Sequence, residues 1–178
     1  MKLVILDRSG VINEESDENL KAIAEWRPIP GSLEAIARLC QAGYRVFIAS
    51  NQSGIGHGFY DYDALFAMND RLQKMVGEFG GRIDGIEFAP DRPDEASEMR
   101  KPGPGMLKDL ARRFQVSLED VSFVGDTAAD LLAARSAGAR PILVRTGKGL
   151  RTEIEHELHG AAVYDDLAAF VRVTLAAH

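Results

Sequence analysis

The sequence predicts an α/β fold of Rossmann type, in which a parallel sheet carries helices on both faces. Segments with the pattern of strands alternate with segments of helical period along the chain. The length of 178 residues suits one domain, and a hydrophobic content of 46% is enough for a sizeable core. We therefore expect a single domain over residues 1–178 without a large inserted domain.

The first half of the chain predicts three strands and two helices. The apolar run from Leu3 to Leu6 predicts a buried first strand. The segment "GSLEAIARLCQAG" predicts a helix with Ser32 near its N-cap and Gly43 at its end. The next elements in order are a strand at "YRVFIAS", an amphipathic helix at "DYDALFAMNDRLQKMVGEFG" and a strand at "IDGIEFA".

The second half begins with the polar segment "PDRPDEASEMRKPGPG". This segment is too rich in proline for a regular element and is long for a simple connection. The elements expected after it are a helix at "GMLKDLARRFQV", a strand at "DVSFVG", a helix at "TAADLLAARSAG" and a strand at "ARPILVR". The final segment "GAAVYDDLAAFVRVTLAA" predicts a last strand and a terminal helix.

Composition argues against several classes of partner. A net charge of −6 disfavours nucleic acid and anionic membranes as the main partner. The single cysteine, Cys40, excludes an internal disulfide and suits a reducing compartment. No run of about 20 apolar residues is present. We expect a cytoplasmic monomer that acts on a small molecule.

Polar side chains follow the predicted strands at the edge where parallel sheets bind ligands. Asp7 follows the first strand, where a desolvated carboxylate is costly unless another group compensates for it. Carboxylate oxygens suit Mg²⁺, whereas lysine and helix N-termini suit phosphate. Phosphoryl transfer through an aspartyl-phosphate on Asp7 is therefore chemically sensible. The other polar residues just past the strand ends are Arg8, Ser9, Ser50, Asn51, Gln52, Ser53, Arg100, Lys101, Asp126 and Asp130.

Four motifs in this order resemble those of the haloacid dehalogenase superfamily of phosphotransferases. They are "DRSGV", Ser50, Lys101 and "GDTAAD". The longer segments "DRSGVIN", "SNQSGIGHG", "RKPGPGM" and "VGDTAADLLAARSAG" with the later "ILVRTG" resemble those of the heptose-bisphosphate phosphatase family. They are also similar to those of histidinol-phosphate phosphatases. The resemblance extends from Lys2 to about Gly149.

The resemblance implies a Mg²⁺-dependent sugar phosphatase without a large cap domain. The implied substrate is D-glycero-D-manno-heptose 1,7-bisphosphate, hydrolysed at its 7-phosphate. The implied metal ligands are the side chains of Asp7 and Asp126 and the backbone carbonyl of Ser9. The implied catalytic residues are Asp7, Ser9, Ser50 and Lys101, and the implied substrate-binding residues are Asn51, Gln52, Ser53, His57 and Arg100. Asp130 either supports the metal site or occupies a first helical turn.

Three departures from the family pattern affect these expectations. Ser9 stands where the family has an aspartate that acts as general acid and base, and a hydroxyl cannot replace that carboxylate. Loop 89–103 replaces the family's zinc loop, because Ala89, Asp91, Ser97 and Met99 occupy the positions of its four ligands. We therefore expect no zinc. His57 occupies a position where the family often has arginine.

Two other classes of function compete with the enzyme. Ser9 and the altered loop favour a non-catalytic protein that binds phosphosugars, whereas the intact Asp7 argues against it, because a binding protein has no need of a nucleophile. A receiver-type signalling domain is the weaker alternative, because a receiver of about 120 residues would not explain the loop or "RKPGPGM".

Overall fold

A six-stranded parallel sheet forms the centre of the molecule in the computed structural model, which describes residues 1–14, 26–95 and 97–177. The strands are β1 (Leu3–Leu6), β2 (Arg45–Asn51), β3 (Gly85–Ala89), β4 (Ser122–Gly125), β5 (Arg140–Val144) and β6 (Ala162–Tyr164). Their order in the sheet is β3-β2-β1-β4-β5-β6, and every pairing is parallel. The predicted α/β fold is confirmed.

The helices of the described residues alternate with these strands along the chain. They are α1 (Ser32–Gln41), α2 (Ser53–Gly56), α3 (Tyr62–Glu78), α4 (Gly105–Phe114), α5 (Ala128–Ala137), α6 (Gly149–Glu155) and α7 (Leu167–Ala176). The sequence did not predict α2 and α6, because four and seven residues are too few to display a helical period. No helix in the described ranges is long and apolar enough to cross a membrane.

Alternate residues of each central strand supply two separate cores. In β1, Val4 and Leu6 join a cluster with residues of α1, α3 and α7, whereas Leu3 and Ile5 join a cluster with residues of α4 and α5. Both faces of the sheet are therefore covered, which explains why the strand is apolar at every position.

Ser32 lies next to the N-cap of α1, as predicted, but its side chain does not cap the helix. Gly31 occupies the N-cap position with a φ of 86°, and Ser32 is the first helical residue. The hydroxyl of Ser32 donates a hydrogen bond to the carbonyl of Val11 at 2.8 Å instead of capping the helix. This bond connects α1 to the segment that follows β1.

Strand register brings the carboxyl ends of β1, β2 and β4 together. Leu6 is aligned with Ile48 of β2 and with Val124 of β4. The residues that follow these strands therefore lie along one edge of the sheet, as expected for a ligand site in this type of fold.

Candidate active site

A buried ion-pair network around Lys101 forms the floor of a cavity at this edge. The ammonium group of Lys101 lies 3.0 Å from Oδ1 of Asp7 and 2.6 Å from Oδ1 of Asp130. It also donates a hydrogen bond to the carbonyl of Ala49 at 3.0 Å. The backbone of Asp7 is fixed to β4, because its N–H donates a hydrogen bond to the carbonyl of Val124 at 2.8 Å. The lysine therefore provides the compensation that a buried Asp7 requires.

The two carboxyl groups that contact Lys101 differ in pKa because of burial and neighbouring charge. Burial and the nearby Asp130 raise the pKa of Asp7 to about 7, against the opposing effect of Lys101. Burial also disfavours ionised Asp130, but the ammonium of Lys101 and its hydrogen bonds hold the pKa of Asp130 below its usual value. The pKa of Lys101 is raised, because the two carboxylates outweigh the effect of burial. Lys101 is therefore a permanent cation in the absence of ligands.

Asp130 occupies the first helical turn of α5, which is one of the two roles that the sequence left open, and it also binds Lys101. Thr127 caps α5 in a capping box, because its hydroxyl accepts a hydrogen bond from the backbone N–H of Asp130 while the Asp130 carboxylate accepts one from the backbone N–H of Thr127. Oδ2 of Asp130 also accepts hydrogen bonds from the backbone N–H of Asp126 and the hydroxyl of Thr127, at 3.1 and 2.9 Å. Because its other oxygen contacts Lys101, Asp130 holds both the helix start and the lysine in place.

The loop between β5 and α6 holds Asp126, and the sequence analysis assigned no role to this loop. The backbone N–H of Lys148 donates to Oδ2 of Asp126 at 2.9 Å, and the hydroxyl of Thr152 donates to its carbonyl at 2.7 Å. Gly147 packs so closely that a Cβ atom there would lie 2.4 Å from Oδ2 of Asp126 and 2.5 Å from the Cα atom of Gly10. The signals in the sequence were the segment "ILVRTG" of the family resemblance, which ends at Gly147, and the pair of glycines in "RTGKG".

The donor set of the floor fits a hard divalent cation. Asp7, Asp126 and Asp130 each offer a carboxylate oxygen, and these atoms lie within 4.8 Å of one another. Lys101 forms ion pairs with two of these three acidic groups, Asp7 and Asp130. Since the oxygens of Asp130 already accept several hydrogen bonds, Asp7 and Asp126 are the better candidates for ligands. Carboxylates in such a cluster suit Mg²⁺.

Residues at the end of β2 and just after it form one wall of the cavity. The amide of Asn51 pairs with the backbone of Lys101, because its Oδ1 accepts from Lys101 N–H at 3.0 Å and its Nδ2 donates to Lys101 carbonyl at 3.1 Å. Gln52 donates to the hydroxyl of Ser50 at 2.7 Å and accepts from the phenol of Tyr60 at 2.5 Å. Tyr60 is a wall residue that the sequence analysis did not single out.

The cavity has a volume of about 300 Å³ and collects most of the predicted site residues. Ser53 and Arg100 line it beside the residues already described, and the guanidinium of Arg100 donates to the carbonyl of Asp91 at 3.1 Å. His57 does not line this cavity, because its exposed ring stacks on Phe59 with 5.1 Å between ring centroids. The lining residues are Asp7, Ser9, Ser50, Asn51, Gln52, Ser53, Gly54, Tyr60, Met68, Arg100, Lys101, Asp126, Thr127, Ala129, Asp130 and Lys148.

Comparisons with known proteins place the chain in a family. Residues 98–170 match the family model for HAD-hydrolase-like proteins. The D-glycero-β-D-manno-heptose-1,7-bisphosphate 7-phosphatase of Pseudomonas putida is 51% identical over 172 residues, which cover 97% of this chain and 98% of that relative. The same enzyme of Pseudomonas aeruginosa is 49% identical, with 97% of each chain covered.

The chain belongs to this family of heptose-bisphosphate phosphatases.

A solved structure of the family gives the same fold. The D,D-heptose 1,7-bisphosphate phosphatase of Bordetella bronchiseptica, crystallised with magnesium and phosphate, has a TM-score of 0.98 and 45% identity to this chain, and each chain covers 100% of the other. A second relative, from Burkholderia thailandensis, has a TM-score of 0.79 at 43% identity, with 98% of this chain and 99% of that one covered.

Loop 89–103 is held by hydrogen bonds at the positions where the family resemblance implied zinc ligands. The hydroxyl of Ser97 donates to Oδ2 of Asp91 at 2.7 Å, and the hydroxyl oxygen accepts from the backbone N–H of Met99 and of Arg100. Ala89 ends β3 in the core, and Met99 packs against the same core cluster. The absence of zinc stays a prediction.

Ser9 lies in the wall of the cavity beside Asp7. The carboxylates that line this cavity in the described residues are Asp7, Asp126 and Asp130. All three belong to the buried floor, where Asp7 and Asp130 contact Lys101 and Asp126 accepts a hydrogen bond from the backbone N–H of Lys148. Among these lining residues, position 9 therefore offers a hydroxyl where a carboxylate would be needed for proton transfer.

Proposed function

We propose that this chain hydrolyses a phosphate monoester of a sugar through an aspartyl-phosphate on Asp7, and that its substrate is D-glycero-D-manno-heptose 1,7-bisphosphate, cleaved at the 7-phosphate. The observation that carries the proposal is a strand-end carboxylate paired with a buried lysine beside a second carboxylate, in a polar cavity. The activity named for relatives at about 50% identity supports the choice of substrate.

The first half of the reaction transfers the phosphoryl group to Asp7. An oxygen of the Asp7 carboxylate attacks phosphorus, the bond from phosphorus to the sugar oxygen breaks, and the departing alkoxide takes up a proton from solvent water. Lys101 neutralises charge on the transferring oxygens, and the hydroxyl of Ser50 donates a hydrogen bond to them. Arg100, Asn51, Gln52 and Ser53 are the proposed substrate contacts or supports, whereas His57, which does not line the cavity, is not among them.

Asp7, the carbonyl of Ser9 and Asp126 are the proposed ligands of Mg²⁺. When bound, the cation supplies electrostatic stabilisation to the negative charge of the phosphoryl group. The crystallisation of the Bordetella relative with magnesium and phosphate supports this assignment. Lys148 and Thr152 hold Asp126 in position through its carboxylate and its carbonyl.

The second half of the reaction is slow in this proposal. Water attacks the phosphorus of the aspartyl-phosphate, the bond from phosphorus to the Asp7 oxygen breaks, and inorganic phosphate leaves. The attacking water must lose a proton, and the hydroxyl of Ser9 has no pKa suited to accept it. We therefore expect a slower turnover than a carboxylate at position 9 would give.

The test is a phosphatase assay of the purified chain with the heptose 1,7-bisphosphate and Mg²⁺, beside Asp7→Asn. Release of phosphate from the 7-position by the wild-type chain, lost in Asp7→Asn, is the expected result. Binding of the substrate without phosphate release, in both the chain and Ser9→Asp, would instead establish the non-catalytic binding protein that Ser9 favours.

A monomer in the cytoplasm, acting on a small sugar phosphate, completes the proposal. The net charge of −6 supports a small-molecule partner over nucleic acid. Light scattering of the purified chain tests the monomer, and fractionation of cells tests the compartment.

A further inference from the structure

The geometry points to Gln52 and Tyr60 as positioning residues that orient the hydroxyl of Ser50 toward the transferring phosphoryl group. The inference rests on the proposed function and assigns roles to two wall residues. Tyr60 contacts Gln52, and Gln52 contacts Ser50, so that three side chains form one hydrogen-bonded chain along the cavity wall. Ser50 and Gln52 are buried, with 2% and 9% of their surface exposed.

Distances decide which way the amide of Gln52 faces. The Tyr60 oxygen lies 2.5 Å from Oε1 of Gln52, which suits an O–H···O bond but is shorter than the range of about 2.7–3.2 Å for an N–H···O bond. The distance of 2.7 Å from Nε2 of Gln52 to Oγ of Ser50 falls within that range. Tyr60 therefore donates to the amide oxygen, and the amide nitrogen donates to the serine.

The direction of the hydrogen bond from Gln52 to Ser50 determines where the hydroxyl hydrogen of Ser50 can point. Because Oγ of Ser50 accepts the bond from Gln52, its own hydrogen must point to a different acceptor. The acceptor for it in the described structure is the carbonyl of Asn51 at 3.4 Å, which is longer than an ordinary O–H···O bond. An anionic phosphoryl oxygen in the cavity is a stronger acceptor and can replace that carbonyl. The chain thus prepares Ser50 as a donor.

The packing and the protonation of Tyr60 both keep its phenol a hydrogen-bond donor to Gln52. Its ring packs on Gly54, where a Cβ atom would lie 2.2 Å from Cε1 of Tyr60. Burial raises the pKa of the Tyr60 phenol, although the nearby Arg8 opposes the shift. The phenol therefore keeps its proton at neutral pH and remains a donor. The glycine of "NQSG" and the tyrosine of "GFY" are both needed for this contact.

A double-mutant cycle distinguishes a positioning role from direct contact with substrate. The variants are Gln52→Leu, Ser50→Ala and their combination, with Gln41→Leu on the exposed end of α1 as the matched control. The readouts are kcat and KM for the heptose bisphosphate and, independently of turnover, the dissociation constant of inorganic phosphate in Mg²⁺ by calorimetry.

We expect Gln52→Leu to weaken phosphate binding and to lower kcat/KM by about 3- to 10-fold, the size of one lost hydrogen bond. In the Ser50→Ala background the same change should have almost no effect, because Gln52 acts through the hydroxyl. Gln52→Glu should lower both quantities further, on the order of 100-fold, because its carboxylate accepts the Ser50 proton and repels phosphate.

Tyr60→Phe keeps the test valid if Gln52→Leu does not fold. Tyr60→Phe removes the terminal donor and should weaken phosphate binding by about 2- to 5-fold, again only when Ser50 is present. The control is Tyr62→Phe on the surface of α3, which should leave phosphate binding unchanged.

Equal losses in the wild-type and Ser50→Ala backgrounds would overturn the positioning role. Absence of phosphate binding to the wild-type chain in Mg²⁺ would overturn it as well. If the chain binds phosphate but hydrolyses no heptose bisphosphate, the proposed function fails, and the cycle measured on phosphate binding still decides the roles of Gln52 and Tyr60.

Discussion

The floor of the cavity includes Lys101 from loop 89–103, but the floor and the part of the loop before Arg100 are stabilised in different ways. The floor consists of Asp7, Lys101, Asp126 and Asp130, all buried, with charges paired at 2.6–3.0 Å. The loop relies on contacts nearer the surface, such as the part-buried bond from the hydroxyl of Ser97 to the carboxylate of Asp91 and the exposed pair of Arg92 with Asp94. Buried charges need partners, whereas exposed ones are already hydrated. The floor therefore presents buried charges that can act on a ligand, whereas the contacts of the loop maintain its own conformation.

The largest expected effect is on catalysis at the edge of the floor. Ser9→Asp should raise the steady-state rate on the order of 10²–10⁴-fold, because it restores a carboxylate for proton transfer. With an activated aryl phosphate, the wild-type chain should release a burst of alcohol and then turn over slowly, since a good leaving group bypasses only the first proton transfer. Rapid-quench kinetics at matched Mg²⁺ measures both. Equal steady rates for the two proteins would show that another group is the acid and base.

The second prediction tests the stability of the floor against that of the loop. Lys101→Met leaves Asp7 and Asp130 without their shared cation, and we expect a loss of about 3–5 kcal/mol in the free energy of unfolding. Arg92→Met in the loop should cost about 0–1 kcal/mol. Urea unfolding in EDTA compares the two variants.

The double variant Lys101→Met/Asp130→Asn serves as the control for Lys101→Met. It removes one of the two unpaired charges and should recover part of the lost stability. If Lys101→Met were as stable as Arg92→Met, the buried pairs would not hold the floor together.

A third prediction concerns the support of Asp126. Gly147→Ala would place a Cβ atom against Oδ2 of Asp126, and we expect Mg²⁺ affinity to fall by about 10- to 100-fold. Gly160→Ala is the matched control, because Gly160 also has a positive φ, of 79°, but has open space around its Cα atom. Both variants share the backbone strain of a positive φ. A difference in Mg²⁺ affinity between them, measured by calorimetric titration, therefore reports the close contact at Gly147. Equal affinities would show that the β5–α6 loop adapts to the added methyl.

The smallest effect is expected in the loop. Ser97→Ala removes the acceptor of two backbone N–H groups and the donor to Asp91, and should cost about 1 kcal/mol in the free energy of unfolding with little change in kcat. Elemental analysis should find no zinc in the variant or in the wild-type chain purified without a His-tag. Stoichiometric zinc would show that the four positions were aligned wrongly.

The sequence by itself determined the sheet, its covering helices and the order of the strands along the chain. The apolar runs and helical periods were sufficient, because strands buried on both faces and amphipathic helices have distinct patterns. It also predicted that polar residues after the strands, among them Asp7, Lys101 and Asp126, would meet at one edge of the sheet, and these residues do line one cavity. The family resemblance was confirmed by relatives that match along nearly the whole chain.

Only the tertiary structure decided how these groups share their charges and which backbone supports them. Nothing local indicates that Lys101 lies between Asp7 and Asp130, because the three residues come from different connections and meet through the sheet order. The short helices α2 and α6 escaped detection because they carry too few residues for a period. The contact of Gly147 with Asp126 and the chain from Tyr60 to Ser50 depend on packing between segments, and a local pattern does not contain that information.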